Sequence, residues 1–150
     1  MISIEAKVIS GYGVASGKGN DPRYPEGTLL LQMPFFKERG LNLEQYFRGT
    51  INLDIAPYQF SINTPTHFFK GIDWSDHIPP ENFYFFEVQL IYEGRSYEGL
   101  IYMPDTKTKA DHHQISNMLE VIMPHVKGLK GGEKVQLNIP KESLQFTIEK

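Results

Sequence analysis

Apolar and polar residues alternate with a period of two over much of this chain, and this limits its possible folds. From residue 2 to residue 8 every second side chain is apolar, and Ser3, Glu5 and Lys7 lie between them. Successive side chains of a strand point to opposite faces, so the pattern predicts a strand with one buried face. Comparable patterns predict further strands at residues 27–33, 49–55, 58–62, 83–92, 96–103, 120–123, 134–139 and 143–148.

The segments between these patterns predict how the strands connect. A Glu-Gly-Arg turn at residues 93–95 separates the two strongest patterns and predicts a hairpin. Strands 49–55 and 58–62 are expected to pair through a turn at Ala56 and Pro57. One or two helical turns are expected within residues 34–47, with Asn42 as an N-cap, and another at 114–119. Residues 63–80 are expected to form a long packed loop in which Trp74 belongs to the core.

Length and composition favour one β-rich domain. The 150 residues suit a single domain spanning 1–150, and aromatic residues, which half-buried sheets favour, make up 13% of the chain. Closing a sheet on itself removes its exposed edges. The predicted fold is therefore mainly β, a closed barrel of six or more strands with short helical turns.

The same bulk properties weigh against several classes of protein. There is no cysteine, which excludes disulfides and thiol chemistry. A net charge of −3 argues against a nucleic-acid-binding surface. No apolar run approaches the ~20 residues needed to span a bilayer, and Glu5 and Lys7 are not typical of a signal peptide. We expect a cytoplasmic protein whose partners are small molecules rather than nucleic acids or membranes; the oligomeric state stays open.

Two segments carry residues suited to binding phosphate and metal. Residues 11–19 contain four glycines, whose backbone can approach a ligand closely; a mobile surface loop is the alternative. Thr50 and Asn52 are two residues apart, so a strand would place both on one face. Their neutral oxygens suit Mg²⁺ if a nucleotide phosphate supplies negative charge; a solvated face is the alternative. Thr28 is the other candidate for the threonine of this pair, but Thr50 is preferred because Asn52 follows it by two residues.

A second candidate site is the most compact group of titratable residues in the chain. Asp111, His112 and His113 are consecutive and precede Glu120 by a short stretch. Adjacent residues on an extended chain point to opposite sides, so at most one histidine would face a site with Glu120. The cluster predicts either a metal-dependent or acid–base centre, or a solvated loop.

Several short motifs, taken in order, resemble one family. They are residues 8–13 (Val-Ile-Ser-Gly-Tyr-Gly), 49–53 (Gly-Thr-Ile-Asn-Leu), 101–104 (Ile-Tyr-Met-Pro), 119–124 (Leu-Glu-Val-Ile-Met-Pro) and the Gly-Gly turn with its strand at 128–137. In order and spacing the chain resembles the archaeal CTP-dependent riboflavin kinases, whose fold is a cradle-loop β-barrel. The loop at 13–18 differs from that family's Gly-Glu-Gly-Arg and indicates a divergent branch.

The resemblance implies a function and a site. It implies Mg²⁺-dependent phosphorylation of a small hydroxylated substrate such as riboflavin by a nucleotide such as CTP. A non-catalytic barrel that binds a nucleotide, flavin or sugar-like ligand is the alternative. The implied catalytic residue is Glu120, which would also touch the substrate, and the implied Mg²⁺ ligands are Thr50 and Asn52. Further implied substrate contacts are Thr106, Thr108 and His113. The implied nucleotide-binding residues are Gly11, Gly13, Ala15, Ser16, Gly17, Lys18, Val121, Ile122 and Met123.

Overall fold

Nine β-strands and one α-helix form in the part of the chain that this computed structural model describes, residues 1–11, 28–47, 49–76, 79–105 and 117–148. In chain order they are β1 (Ile2–Gly11), α1 (Thr28–Glu38), β2 (Ile51–Asp54), β3 (Tyr58–Ile62), β4 (His67–Ile72), β5 (Glu81–Tyr92), β6 (Arg95–Pro104), β7 (Met118–Ile122), β8 (Lys134–Ile139) and β9 (Leu144–Ile148).

Six strands close into an antiparallel barrel. Their order is β5-β6-β7-β2-β1-β8, and β8 returns to β5 by pairing Leu137 with Leu90. Strand β4 continues the sheet outside the barrel, and β3 pairs with β9 in a separate two-stranded sheet. The predicted mainly β fold with a closed barrel of at least six strands is therefore confirmed. Among the described residues, no helix is both long and apolar enough to cross a membrane.

The inside of the barrel is filled with packed apolar side chains. Ile51 and Leu53 of β2 face inward together with Leu119 and Val121 of β7 and Ile101 of β6, and all five are at most 1% exposed. Because side chains alternate along a strand, the residues between these five face outward. Any ligand site formed by these strands therefore lies on the outer face or at an end of the barrel.

Helix α1 covers part of that outer face and forms a second apolar layer. Leu29, Met33 and Phe36 recur at the i, i+4, i+7 spacing of one helix face and are buried. The Phe36 ring contacts Phe83 and Phe85 edge-on, with ring centroids 5.0 and 5.1 Å apart. The layer lies over β4, β5, β6 and β7, because the buried side chains on the outer faces of these strands pack in one apolar cluster with those of α1.

Three sequence predictions about single elements are wrong. Residues 28–33 belong to α1 rather than a strand, because a short apolar run has no period that separates helix from strand. Strand β3 pairs with β9, not with β2, whose neighbours are β1 and β7. The long loop expected at 63–80 contains β4. The missed strand includes Gly71, whose φ of 67° interrupts the pairing with β5.

Two other local predictions are confirmed, and one is wrong. Tyr92 pairs with Arg95 across a two-residue turn, and both turn residues, Glu93 and Gly94, have positive φ, as a tight hairpin requires. Trp74 is buried, and its Nε1–H donates to Glu81 Oε1 at 2.9 Å. The N-cap predicted at Asn42 is wrong, because residues 43–47 contain a turn rather than a helix; Asn42 Oδ1 accepts the Glu44 N–H at 2.9 Å within that turn.

Gly99 allows β6 to approach the end of β7, and this approach should not tolerate a side chain. A Cβ at residue 99 would overlap the Ile122 carbonyl oxygen and lie 2.6 Å from Met123 Sδ. Gly99→Ala is therefore expected to lower the free energy of unfolding by about 1–3 kcal/mol, measured by urea denaturation.

Gly131→Ala is the matched control for this prediction. A Cβ there would lie 3.1 Å from the Ile9 carbonyl oxygen, so the two atoms need to separate by only a few tenths of an ångström. We expect a loss below about 0.5 kcal/mol, as for an ordinary surface substitution. Equal losses in the two variants would show that the contact of Gly99 with β7 does not limit stability.

Candidate functional site

Four residues occupy matching positions across four neighbouring strands. Ser10 of β1 is opposite Asn52 of β2, Asn52 is opposite Glu120 of β7, and Glu120 is opposite Tyr102 of β6. Asn52, Glu120 and Tyr102 point outward, because their neighbours along each strand fill the barrel. Opposite residues have Cβ atoms about 4.5–5.5 Å apart, so the side chains of Asn52 and Glu120 are in reach of one another, as are those of Glu120 and Tyr102.

Asn52 and Glu120 are half-buried, which leaves each of them partly accessible. Thr50 immediately precedes β2 and is only 1% exposed. The hydroxyl of Thr50 and the amide of Asn52 offer oxygen atoms, the type of ligand that Mg²⁺ prefers. No group of three or more His, Asp or Glu side chains able to hold a metal occurs among the described residues. A Mg²⁺ ion held by Thr50 and Asn52 would therefore depend on ligand phosphates for charge.

On the side of helix α1 the row ends at Tyr102, which is hydrogen-bonded to Gln32 of the helix. The Tyr102 hydroxyl donates to Gln32 Oε1 at 2.6 Å, and the two residues are 3% and 2% exposed. Burial, reinforced by the negative charges of Glu120 and Glu81, raises the pKa of Tyr102 well above its ordinary value. The phenol is therefore neutral at physiological pH and acts as a hydrogen-bond donor.

Sequence reasoning missed this pair for an identifiable reason. Gln32 lies in the segment predicted to be a strand, whereas on a helix it follows Leu29 by three residues and shares its buried face. A polar residue on the apolar face of a helix is a signal that it bonds something buried. If the helix had been predicted correctly, Gln32 would have been a candidate for a buried hydrogen bond. Only the structure identifies its partner.

The predicted nucleobase contacts lie at the end of β7. Val121 faces the barrel interior, and Ile122 packs in the layer beneath α1. The Met123 carbonyl accepts the Phe47 N–H at 2.9 Å, and the Phe47 ring lies 6.0 Å from that of His125. The role proposed for the backbone of these three residues stays a prediction.

The structure brings together Gly11, Asn52 and Glu120 from three separate parts of the sequence. Gly11 ends β1 opposite Ile51, the residue before Asn52, so the glycine-rich segment begins beside this pair. The roles assigned to these residues stay predictions. Outside the described residues lie Gly13, Ala15, Ser16, Gly17, Lys18, Thr106, Thr108, Asp111, His112 and His113.

A shallow groove of about 450 Å³ lies elsewhere on the barrel surface, between β1, β8 and the end of β5. Among its lining residues are Ser3, Glu93 and Gln136, together with Glu5 and Lys134, which form an exposed ion pair at 3.4 Å. Of the residues predicted from the sequence to bind ligand, none of those that the structure describes lines this groove.

Comparison with known proteins adds no family assignment. The sequence matches no protein-family model, and it has no significant match among curated proteins. The resemblance to CTP-dependent riboflavin kinases therefore depends on the order and spacing of the short motifs alone.

Proposed function

We propose that this protein transfers a phosphoryl group from a nucleoside triphosphate to a hydroxyl group of a small molecule in a Mg²⁺-dependent reaction. CTP is the first candidate donor and riboflavin the first candidate acceptor. The observation that carries the proposal is the direct pairing of Asn52 with Glu120 on the outer face of the barrel. This pairing joins an oxygen donor suited to a metal–phosphate complex with a carboxylate suited to a hydroxyl group.

Phosphoryl transfer requires mainly that the reactants are positioned and that the phosphate charge is neutralised. Asn52 and Thr50 would hold Mg²⁺, which supplies that neutralisation when bound. Glu120 lies one strand away, so a hydroxyl group bound to its carboxylate would be within a few ångströms of a phosphate held beside Asn52. Neighbouring strands lie about 4.7–4.9 Å apart, so the two groups could be held side by side.

Glu120 has a defined task in this reaction. Its carboxylate accepts the proton of the substrate hydroxyl, either during attack or after it. The hydroxyl oxygen forms a new bond to the γ-phosphorus, and the bond from that phosphorus to the bridging oxygen breaks. The nucleoside diphosphate leaves with the electron pair of the broken bond, and Glu120 later returns the proton to solvent.

The course of β1 also supports a phosphate site at this position. Ser10 and Gly11 lie opposite Asn52 and Ile51, and a register shift interrupts β1 just before them, between Val8 and Ser10. The glycine-rich segment therefore begins at the strand neighbouring Asn52. Backbone amides of such a segment can bind phosphate without net positive charge on the protein.

A thermal-shift series tests the proposal directly. Nucleoside triphosphates are added with and without Mg²⁺, and we expect stabilisation by at least one of them that depends on Mg²⁺. Asn52→Ala should weaken that binding about 10–150-fold, because losing one of the two proposed Mg²⁺ ligands is expected to cost as much as losing a hydrogen bond to a charged group, roughly 1.5–3 kcal/mol.

Asn138→Ala is the matched control for Asn52→Ala. Asn138 lies on the barrel strand β8, where its Nδ2 donates to Gln89 Oε1 at 2.8 Å, away from the row that contains Asn52. Its nucleotide-dependent shift should equal that of the unmodified chain. Absence of a shift with every nucleotide contradicts the proposal. Binding without product on incubation with riboflavin supports the non-catalytic module instead.

A further inference from the structure

The single proton of the Tyr102 hydroxyl has two potential acceptors nearby but is directed to one of them. Tyr102 is opposite Glu120 in the sheet, yet its hydroxyl donates to Gln32 Oε1 on helix α1 at 2.6 Å. Tyr92, another tyrosine of the barrel, donates instead to a glutamate, Glu133 Oε2, at 2.7 Å. A tyrosine–glutamate hydrogen bond is thus a geometry that this protein uses elsewhere.

We infer that Gln32 is a positioning residue for the Glu120 site: its amide oxygen binds the Tyr102 proton and so withholds that proton from the Glu120 carboxylate. The inference rests on the proposed function only for the task assigned to Glu120. The hydrogen-bond arrangement itself is independent of any ligand.

The surroundings of Tyr102 explain why an acceptor on α1 matters. A phenol has one proton to donate, and leaving a buried phenol without an acceptor destabilises the protein. Among the described residues, the charged groups that act on Tyr102 are Glu120 on β7 and Glu81 on β5. Glu120 is directly opposite Tyr102. Glu81, by contrast, lies four residues along β5 from Phe85, the residue that is opposite Tyr102 there. Without Gln32, the Tyr102 proton would therefore turn towards Glu120, its opposite residue.

Such a redirected hydrogen bond would impair Glu120 in its proposed task. A carboxylate that accepts a hydrogen bond from a phenol is a weaker base, because the bond stabilises its charged form. Gln32 therefore links the docking of helix α1, which buries Gln32, to the basicity of the Glu120 carboxylate.

The first experiment follows the Tyr102 hydroxyl in the ligand-free protein. Tyrosines are labelled with ¹³C at Cζ, and their NMR signals are assigned with the Tyr102→Phe and Tyr92→Phe variants. Tyr92 serves as an internal reference for a tyrosine bonded to a carboxylate. In Gln32→Met, which keeps a side chain of similar size without the amide, we expect the Tyr102 signal to move towards that of Tyr92. Adding Glu120→Gln should abolish the movement.

The second experiment measures phosphoryl transfer. Gln32→Met should lower kcat about tenfold, the effect of roughly 1.4 kcal/mol, with the nucleotide KM unchanged. The double variant Gln32→Met/Tyr102→Phe, which has no phenol proton to redirect, should regain most of the lost rate. A purely structural role for Gln32 predicts no such rescue.

Each result supports or overturns the inference. A Tyr102 signal that stays in place in Gln32→Met, or that moves equally when Glu120 is glutamine, overturns it. A double variant no faster than Gln32→Met does so as well. Should Gln32→Met not fold, Gln32→Asn withdraws the acceptor by one methylene and enters the same comparison. Failure of the proposed function would remove the kinetic experiment but leave the NMR result unchanged.

Discussion

Replacing Glu120 by glutamine is expected to lower the rate of phosphoryl transfer by about 10²–10⁴-fold, the usual contribution of a general base. Glutamine keeps the size of the side chain and can still contact a hydroxyl, but it cannot accept the proton. The loss corresponds to roughly 2.7–5.5 kcal/mol in the activation barrier. Single-turnover formation of the diphosphate, followed by chromatography with enzyme in excess over nucleotide, measures the chemical step itself.

Glu98→Gln is the matched control for Glu120→Gln. Glu98 lies on the neighbouring strand β6, is exposed, and accepts the Gln89 Nε2–H at 3.0 Å. Its rate should equal that of the unmodified chain. Mg²⁺-dependent stabilisation by nucleotide should survive in Glu120→Gln, because Asn52 and Thr50 are unchanged. Equal rates in Glu120→Gln and the unmodified chain would exclude Glu120 as the base.

The part of the site that follows from the sequence is the part set by strand alternation. Because side chains alternate along a strand, Thr50 and Asn52 are predicted to share one face of their segment, and Glu120 lies in a second segment with a strand pattern. That Asn52 is opposite Glu120 could not be predicted without the family resemblance. Register between distant strands depends on the packing of the whole barrel, and a shift of one residue would turn Glu120 inward.

The fold shows the same division between local and distant interactions. The hairpin of β5 and β6 was predictable, because a two-residue turn joins the strands and fixes their register. The pairing of β3 with β9 was not, because about 80 residues separate the two strands in sequence. Helix α1 was missed because Leu29, Leu30 and Leu31 form a continuous run, and only burial shows which of them faces the barrel.

Phe36→Ala is expected to lower the free energy of unfolding by about 3–5 kcal/mol, the usual loss for a fully buried phenylalanine. Phe36 has no exposed surface and contacts the rings of Phe69, Phe83 and Phe85. Alanine would leave a cavity between α1 and the barrel that these rings cannot fill. Urea denaturation followed by tryptophan fluorescence measures the loss, since Trp74 belongs to the same apolar layer.

Leu31→Ala provides the control, because Leu31 lies on the same helix but is 45% exposed. Its loss should stay near 0.5 kcal/mol, as for other surface positions. Phe36→Ala also has an expected effect on the hydrogen bond beside Glu120. A helix held by Phe36 keeps Gln32 beside Tyr102, so Phe36→Ala should move the Tyr102 NMR signal in the same direction as Gln32→Met. Equal losses in Phe36→Ala and Leu31→Ala would mean that α1 does not dock on the barrel through Phe36.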